Sequence, residues 1–138
     1  MFDTILIAAA LADEGHATRA MTAQAQEMLN PGGKIVFVHV LDEVPKYAAA
    51  HVPRQHMSKH EQKVTDLLTR IASEVEGAST EVVVRKGSAS AGILGTAKQT
   101  KADVILIASH KPGLGDYFIG STAARVVRHA DTSVMVLR

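Results

Sequence analysis

Asp103-Val-Ile-Leu-Ile-Ala-Ser-His-Lys-Pro-Gly-Leu-Gly-Asp-Tyr-Phe-Ile-Gly-Ser121 is the stretch whose reading decides the fold. Val104 to Ala108 is a short, continuous apolar run, the pattern of a strand covered on both faces. It runs into a loop bearing Gly113 and Gly115, and the loop ends in Gly120-Ser121 where a helix to His129 begins. A loop without side-chain bulk lets backbone N–H groups approach an anion. A helix N-terminus adds unpaired donors and a partial positive charge. The stretch therefore predicts a strand–loop–helix unit with an anion site at its turn.

The same alternation extends in both directions. Ile5 to Ala9 is a second buried-strand pattern, followed by a helix from about Asp13 to Leu29 with Met21, Ala25, Met28 and Leu29 at helical spacing. Asn30-Pro31-Gly32-Gly33 reads as a stop, and Lys34 to Leu41 as a strand. Asp42 to about Arg54 has no clear period and reads as an irregular surface excursion. A helix from about His56 to Glu76 carries the stripe Val64, Leu67, Leu68, Ile71, Ala72 and Val75. Thr80 to Lys86 is a strand, Ser88 to about Thr100 a helix with Ile93, Leu94 and Ala97 inward, and Ser133 to Leu137 the last strand.

Strands alternating with helices imply βαβ units with right-handed crossovers, hence a parallel sheet covered on both faces. The expectation is a single α/β domain over residues 1–138, an open doubly wound sheet of order 3-2-1-4-5. In such sheets ligands sit beyond the carboxyl ends of the strands where the order reverses, here between the first and fourth strands. The Gly120-Ser121 loop falls at that point.

Composition narrows the function classes. The 138 residues suit one core, and 15 basic against 14 acidic side chains give a formal +1. That balance favours neither nucleic acid nor an anionic membrane. With no cysteine there is neither a disulfide nor a thiolate site. The start of the chain lacks the basic region and cleavage site of a signal peptide, and the longest apolar run, Ile5 to Ala12, is far too short to span a bilayer. The expectation is a soluble, cytoplasmic protein.

Each candidate residue has a plain structural reading beside the functional one. Ser121 is also a natural N-cap, and Gly113 and Gly115 are natural turn residues. The chain has neither G-x-x-x-x-G-K-[ST] nor G-x-G-x-x-G, so the common P-loop and dinucleotide fingerprints are not indicated. His56 and His60 are spaced for one helix face, but without a third ligand beyond His51 they read as solvated. His39, inside a strand, reads as a hydrogen-bonded core or dimer-edge residue, and His129 as a helix-dipole partner. Ser109 and His110 are adjacent and point to opposite faces, so no nucleophile–base pair is read and no catalytic residue is assigned.

Several blocks carry a family resemblance. They are Ile107-Ala-Ser-His-Lys-Pro112, Tyr117-Phe-Ile-Gly-Ser121, Ala124-Arg-Val-Val-Arg-His-Ala130 and Ser133-Val-Met-Val-Leu-Arg138. With Ile5-Leu-Ile7, Val38-His-Val-Leu-Asp42 and Lys86-Gly-Ser88, they extend it over essentially the whole chain. The chain resembles the universal stress protein family, and most of all its F/G-type subgroup. The resemblance implies a fold like that of the adenine nucleotide alpha hydrolases and ATP as ligand, with Mg2+ as a possible companion. It also implies a homodimer paired through the last strand and a regulatory role with a protein partner.

The family's ATP pattern is G-x-x-G, nine residues, then G-[ST]. Here its end stands at Gly120 and Ser121, while Ala108 and Lys111 replace the first two glycines and the loop is one residue shorter. The subgroup shares the shortening and the Ala-Ser-His start. Where members usually carry an aspartate after the first strand, this chain has Ala10. Carried over residue by residue, Ala8 and Ala9 line the adenine side and Val40 offers backbone hydrogen bonds to the adenine edge. Ile107, Ala108 and Ser109 border the ribose with His110 and Lys111 nearby, and Gly113 belongs to the glycine-bearing loop. Gly120, Ser121 and Thr122 hold the phosphates. Rival readings are a dimerisation or interaction module of the same fold without nucleotide, a slow ATP hydrolase or autophosphorylating protein, and a flavodoxin-like carrier. The low aromatic content, 4% with no tryptophan, argues against flavin stacking.

The apolar last strand reads either as the edge of a monomer, too short to matter, or as a dimer edge, and the resemblance tips the reading to the dimer. An uncovered apolar edge invites pairing, and antiparallel pairing with a second copy would give an isologous dimer.

Overall fold

The computed structural model describes residues 1–42, 54–109 and 119–138. Five strands form one sheet: β1 (Phe2–Ala8), β2 (Leu29–Leu41), β3 (Ser79–Lys86), β4 (Val104–Ala108) and β5 (Ser133–Leu137). Between them run α1 (His16–Met28), α2 (Arg54–Ser73), α3 (Ala89–Thr100) and α4 (Ser121–His129). The order is β3-β2-β1-β4-β5 and every pairing is parallel, as the alternation of strand and helix predicts.

The side-chain period of two in each strand feeds two separate cores. Ile5, Ile7, Ile35, Phe37 and Leu106 point to the face covered by α1 and α2, where Met21, Ala25, Leu68 and Ile71 meet them. Leu6, Ala8, Val36, Val38, Ile105 and Ile107 point to the other face, against Ile93 and Ala97 of α3 and Ala123 and Val126 of α4. The helical stripe of α2 is seated as its spacing demands. Val64, Leu68, Ile71 and Ala72 are buried, with Leu67 and Val75 half-buried beside them.

Two local features depart from the sequence reading. Asn30-Pro31-Gly32-Gly33 does follow the end of α1 at Met28, but it is an irregular segment inside β2, which begins at Leu29 and not at Lys34. The register with β1 jumps from Phe2↔Leu29 to Thr4↔Lys34 across it. Gly32 takes a φ of +79°, and a Cβ on Gly33 would lie 2.6 Å from the Leu29 side chain. The turn-forming residues thus make a bulge that keeps both flanks in the ladder. The helix after β1 begins at His16, later than the expected Asp13, because Glu14 and Gly15 both adopt left-handed backbone, with φ of 61° and 87°. The expected excursion from Asp42 to Arg54 lies almost entirely outside the described residues.

Candidate functional site

A cleft of about 190 Å3 opens at the carboxyl ends of the central strands, on the face covered by α3 and α4. Ala8, Ala9 and Ala10 of β1 and its exit, Val40 of β2, and Ile107 and Ala108 of β4 form its floor. Ile93 of α3 and Thr122 of α4 stand at its sides. The chain reversal between β1 and β4 creates this crevice, since the connections leaving the two strands diverge to opposite faces.

Polar groups converge on the cleft from its two ends. At the β2 end, the Ala9 amide donates to the Val38 carbonyl at 2.8 Å, and that is the last step of the β1–β2 ladder. Successive residues of a strand turn their N–H and C=O toward opposite neighbours. Val40 therefore turns its N–H and C=O to the same side as Val38, where β1 has already turned away. On the other side β2 stays paired with β3 as far as Leu41↔Lys86. Val40 thus turns one donor and one acceptor to a side on which no strand of the described residues pairs with it.

At the far end stands the N-terminus of α4. Its N-cap, Gly120, has no side chain to cap the helix, and no side-chain cap bond is made there. By contrast, Ser88 caps α3 by accepting from the Ala91 amide at 3.4 Å. Among the described residues no side chain caps the first turn of α4, and the helix dipole favours negative charge there. Ser121 is exposed and Thr122 half-buried at this end.

The sequence candidates fall into three groups. Ala8, Ala9, Val40, Ile107, Ala108 and Thr122 line the cleft. Gly120 and Ser121 form the adjoining helix start. Ser109 is buried and turned away: its amide donates to the Leu137 carbonyl at 3.0 Å, its hydroxyl donates to the same oxygen at 3.5 Å, and its carbonyl accepts from the Gly120 amide at 3.2 Å. It ties β4 to β5 and to the helix start. His110, Lys111 and Gly113 lie outside the described residues.

Sequence reasoning did not single out Val38, His39, Ala89 or Ile93 as cleft residues, and all four line it. Strand parity signals Val38, two residues before Val40. Ala89 and Ile93 depend on how closely α3 approaches β2, for which Gly92 is the signal. A Cβ on Gly92 would lie 2.6 Å from Val40 Cγ2. His39 sits on a strand between β3 and β1 and so is not at a sheet edge. Its Nδ1 lies 3.2 Å from the Ala9 carbonyl, which fixes that nitrogen as the donor.

A larger cavity, about 610 Å3, lies at the opposite, amino-terminal edge of the sheet between the ends of α3 and α4. Its floor is Ala97, Ala102 and Ile105, with Lys98, Lys101 and Asp131 at its rim. Size alone would favour it, but it lies away from the switch point and from the uncapped helix start. The carboxyl-edge cleft joins both and is the better ligand site.

The chain matches the universal stress protein family over residues 1–138. Among curated relatives, the "Universal stress protein in QAH/OAS sulfhydrylase 3'region" of Thermus aquaticus is 26% identical over 139 residues, covering 100% of both chains. Universal stress protein G of Salmonella typhimurium is 29% identical over 119 residues, 83% of this chain and 84% of that one. The fold is shared with a universal stress protein family member from Arabidopsis thaliana, solved with AMP bound. Its TM-score is 0.66 at 18% identity, over 97% of this chain and 90% of that one.

Proposed function

This chain belongs to the universal stress protein family, and we propose that it is a homodimeric regulatory module that binds ATP or another adenine nucleotide in the carboxyl-edge cleft. One observation carries the reading. An open donor–acceptor edge at Val40 and an uncapped helix start at Gly120 face each other across an alanine floor at the sheet's switch point. A heterocycle with adjacent donor and acceptor suits the first. Phosphate suits the second. The AMP bound in the Arabidopsis relative supports the ligand class.

Val40 takes the adenine edge, Ala8 and Ala9 lie under the base, and Ile107 and Ala108 lie beside the sugar. The amides at Gly120, Ser121 and Thr122 take the phosphates, helped by the two hydroxyls. His110, Lys111 and Gly113 belong to the same ligand by family resemblance. Among the described residues no group of three His, Asp or Glu side chains is placed to hold a metal. Magnesium would accordingly enter on the phosphates, as this strongly hydrated ion commonly does.

The dimer is proposed at the free edge of β5, whose four apolar residues Val134 to Leu137 are only half-buried. No helix among the described residues is long and apolar enough to cross a membrane. We place the protein in the cytoplasm, acting through a regulatory protein partner.

Isothermal titration with ATP and magnesium tests the central reading. Saturable binding at one site per chain is expected, and no binding at millimolar ATP would overturn it.

A further inference from the structure

The cavity of about 610 Å3 at the amino-terminal edge of the sheet has no part in the nucleotide reading. It opens where α3 and α4 end, and its volume falls among small-molecule sites, roughly 300–1,000 Å3. Ala97, Ala102, Ile105 and Ala130 give it an apolar floor. Charge is confined to the rim, where Lys98, Lys101 and His129 stand with a single carboxylate, Asp131.

The sign of that rim follows from what is already engaged. Lys98 Nζ lies 3.6 Å from Asp131 Oδ2, so the carboxylate has its counter-ion, in a loose pair whose side chains are 77% and 81% exposed. Two ammonium groups therefore share one carboxylate, and Lys101 makes no ion pair among the described residues. Both helices end here, and their dipoles alone would favour a cation. Acceptors that a cation would use are spent, however. The Lys101 amide donates to the Ala97 and Lys98 carbonyls, and the Ala130 amide donates to the Val126 carbonyl at 2.9 Å. The Thr132 hydroxyl donates to the carbonyls of Ala102 at 3.2 Å and Asp103 at 2.8 Å. The surplus at the rim is of donors. Lys101 also holds its place against backbone preference. It follows α3 in left-handed conformation, with φ 55° and ψ 45°, where glycine is the ordinary choice.

From this we infer that the cavity is a second ligand site, for an amphipathic anion: an aliphatic chain on the alanine-rich floor with a carboxylate at the Lys98–Lys101 rim. The site lies at the opposite edge from the nucleotide cleft and does not depend on that reading. The floor supplies most of the affinity by taking apolar surface out of water. The lysines set the sign, and because exposed ion pairs are weak they discriminate by only a few-fold.

Titration of the isotope-labelled full chain with decanoate and with decyltrimethylammonium, both below their micelle concentrations, tests this through amide chemical shifts. Saturable shifts centred on Lys98, Lys101, Ala102 and Thr132 are expected with decanoate, which should bind roughly threefold or more tightly than the cation. Lys101 is exposed, and Lys101→Glu is expected to fold and to abolish that preference. No saturable shift at these amides, or shifts centred elsewhere on the chain, overturns the site. Equal binding of decanoate and the cation by the parent overturns the choice of an anion, whatever the variant does. A preference that survives Lys101→Glu overturns Lys101 as its anchor.

Discussion

The amide of Gly120 donates to the carbonyl of Ser109 at 3.2 Å, so the strand that enters the anion loop and the helix that leaves it are joined directly. The bond holds the start of α4 at the end of β4 through backbone groups alone. Among the described residues nothing requires glycine there. Gly120 has a φ of −58°, and a Cβ would stand 3.5 Å from the Ser109 carbonyl oxygen, an ordinary contact.

Gly120→Ala is therefore expected to fold with stability within about 1 kcal/mol of the parent, measured by urea unfolding. Gly120→Val is expected to fold as well and to weaken ATP binding by roughly tenfold or more, because its branches stand where phosphate meets the amides. Unchanged affinity in the valine variant would remove the phosphate from this helix start.

Gly92 is the opposite case. A Cβ there would meet Val40 Cγ2 at 2.6 Å. Gly92→Ala is expected to cost about 1–3 kcal/mol by overpacking α3 against β2, and to weaken nucleotide binding because Val40 carries the open edge. Stability and affinity falling together in unfolding and titration curves is the signature; loss of neither would mean α3 simply moves aside.

Buried Thr18 accepts from the Ala10 amide at 3.0 Å through its hydroxyl, which donates to the Ala10 carbonyl at 2.8 Å. Thr18→Val leaves both Ala10 groups without their hydroxyl partner and is expected to destabilise by about 1–3 kcal/mol. Thr18→Ser keeps the hydroxyl and should recover most of that loss. Equal destabilisation by both variants would assign the cost to packing of the methyl group instead.

Arg19 holds Glu74 through two hydrogen bonds of 3.1 Å, tying α1 to the end of α2. The bonded guanidinium lowers the carboxyl pKa below its ordinary value, and the same pair raises that of Arg19. With a depressed folded value, the contribution is present above the unfolded pKa and is lost as pH falls through the folded one. Both side chains are well exposed, so the effect is small and salt-sensitive. Urea midpoints of parent and Glu74→Gln are expected to converge from neutral pH down through the acid carboxylate range; a constant difference would contradict the linkage.

The proposed dimer has a backbone test. The Ser109 amide donates to the Leu137 carbonyl, so Leu137 and Met135 turn their backbone groups to β4, while Val134 and Val136 turn theirs outward. Val136→Pro removes an outward N–H and spares the β4 pairing, as proline on an edge strand does. Light scattering is expected to show a dimer for the parent and a monomer for the variant. A dimeric proline variant would move the interface elsewhere.

Much of the fold was legible because short-range periodicity and burial agree. Ile5-Leu6-Ile7 fits a strand covered on both sides, and the stripe of α2 fits one helix face; strand–helix alternation then leaves few topologies. Asn30 to Gly33 marked the end of α1 but hid the start of β2, because whether such a segment precedes a strand or bulges it depends on β1 pairing with residues on both flanks. Of the candidate site, Gly120 and Ser121 follow from motif and switch point, while Ala8, Ala9, Val40, Ile107 and Ala108 came from the family resemblance. Val38 and Ile93 came from neither, since they enter through contacts between elements far apart in the chain.

The five parallel strands, their order and the glycine-serine helix start follow from side-chain periodicity and from connection rules acting on neighbouring segments. Which polar groups of the described residues are consumed at the switch point depends instead on contacts between segments distant in the chain. Ser109 is consumed by Leu137 and Gly120, Ala9 by Val38 and His39, and Ala10 by Thr18. Hydrogen-bond satisfaction is settled between segments, by register and close approach, and no single segment encodes what its distant partners will take.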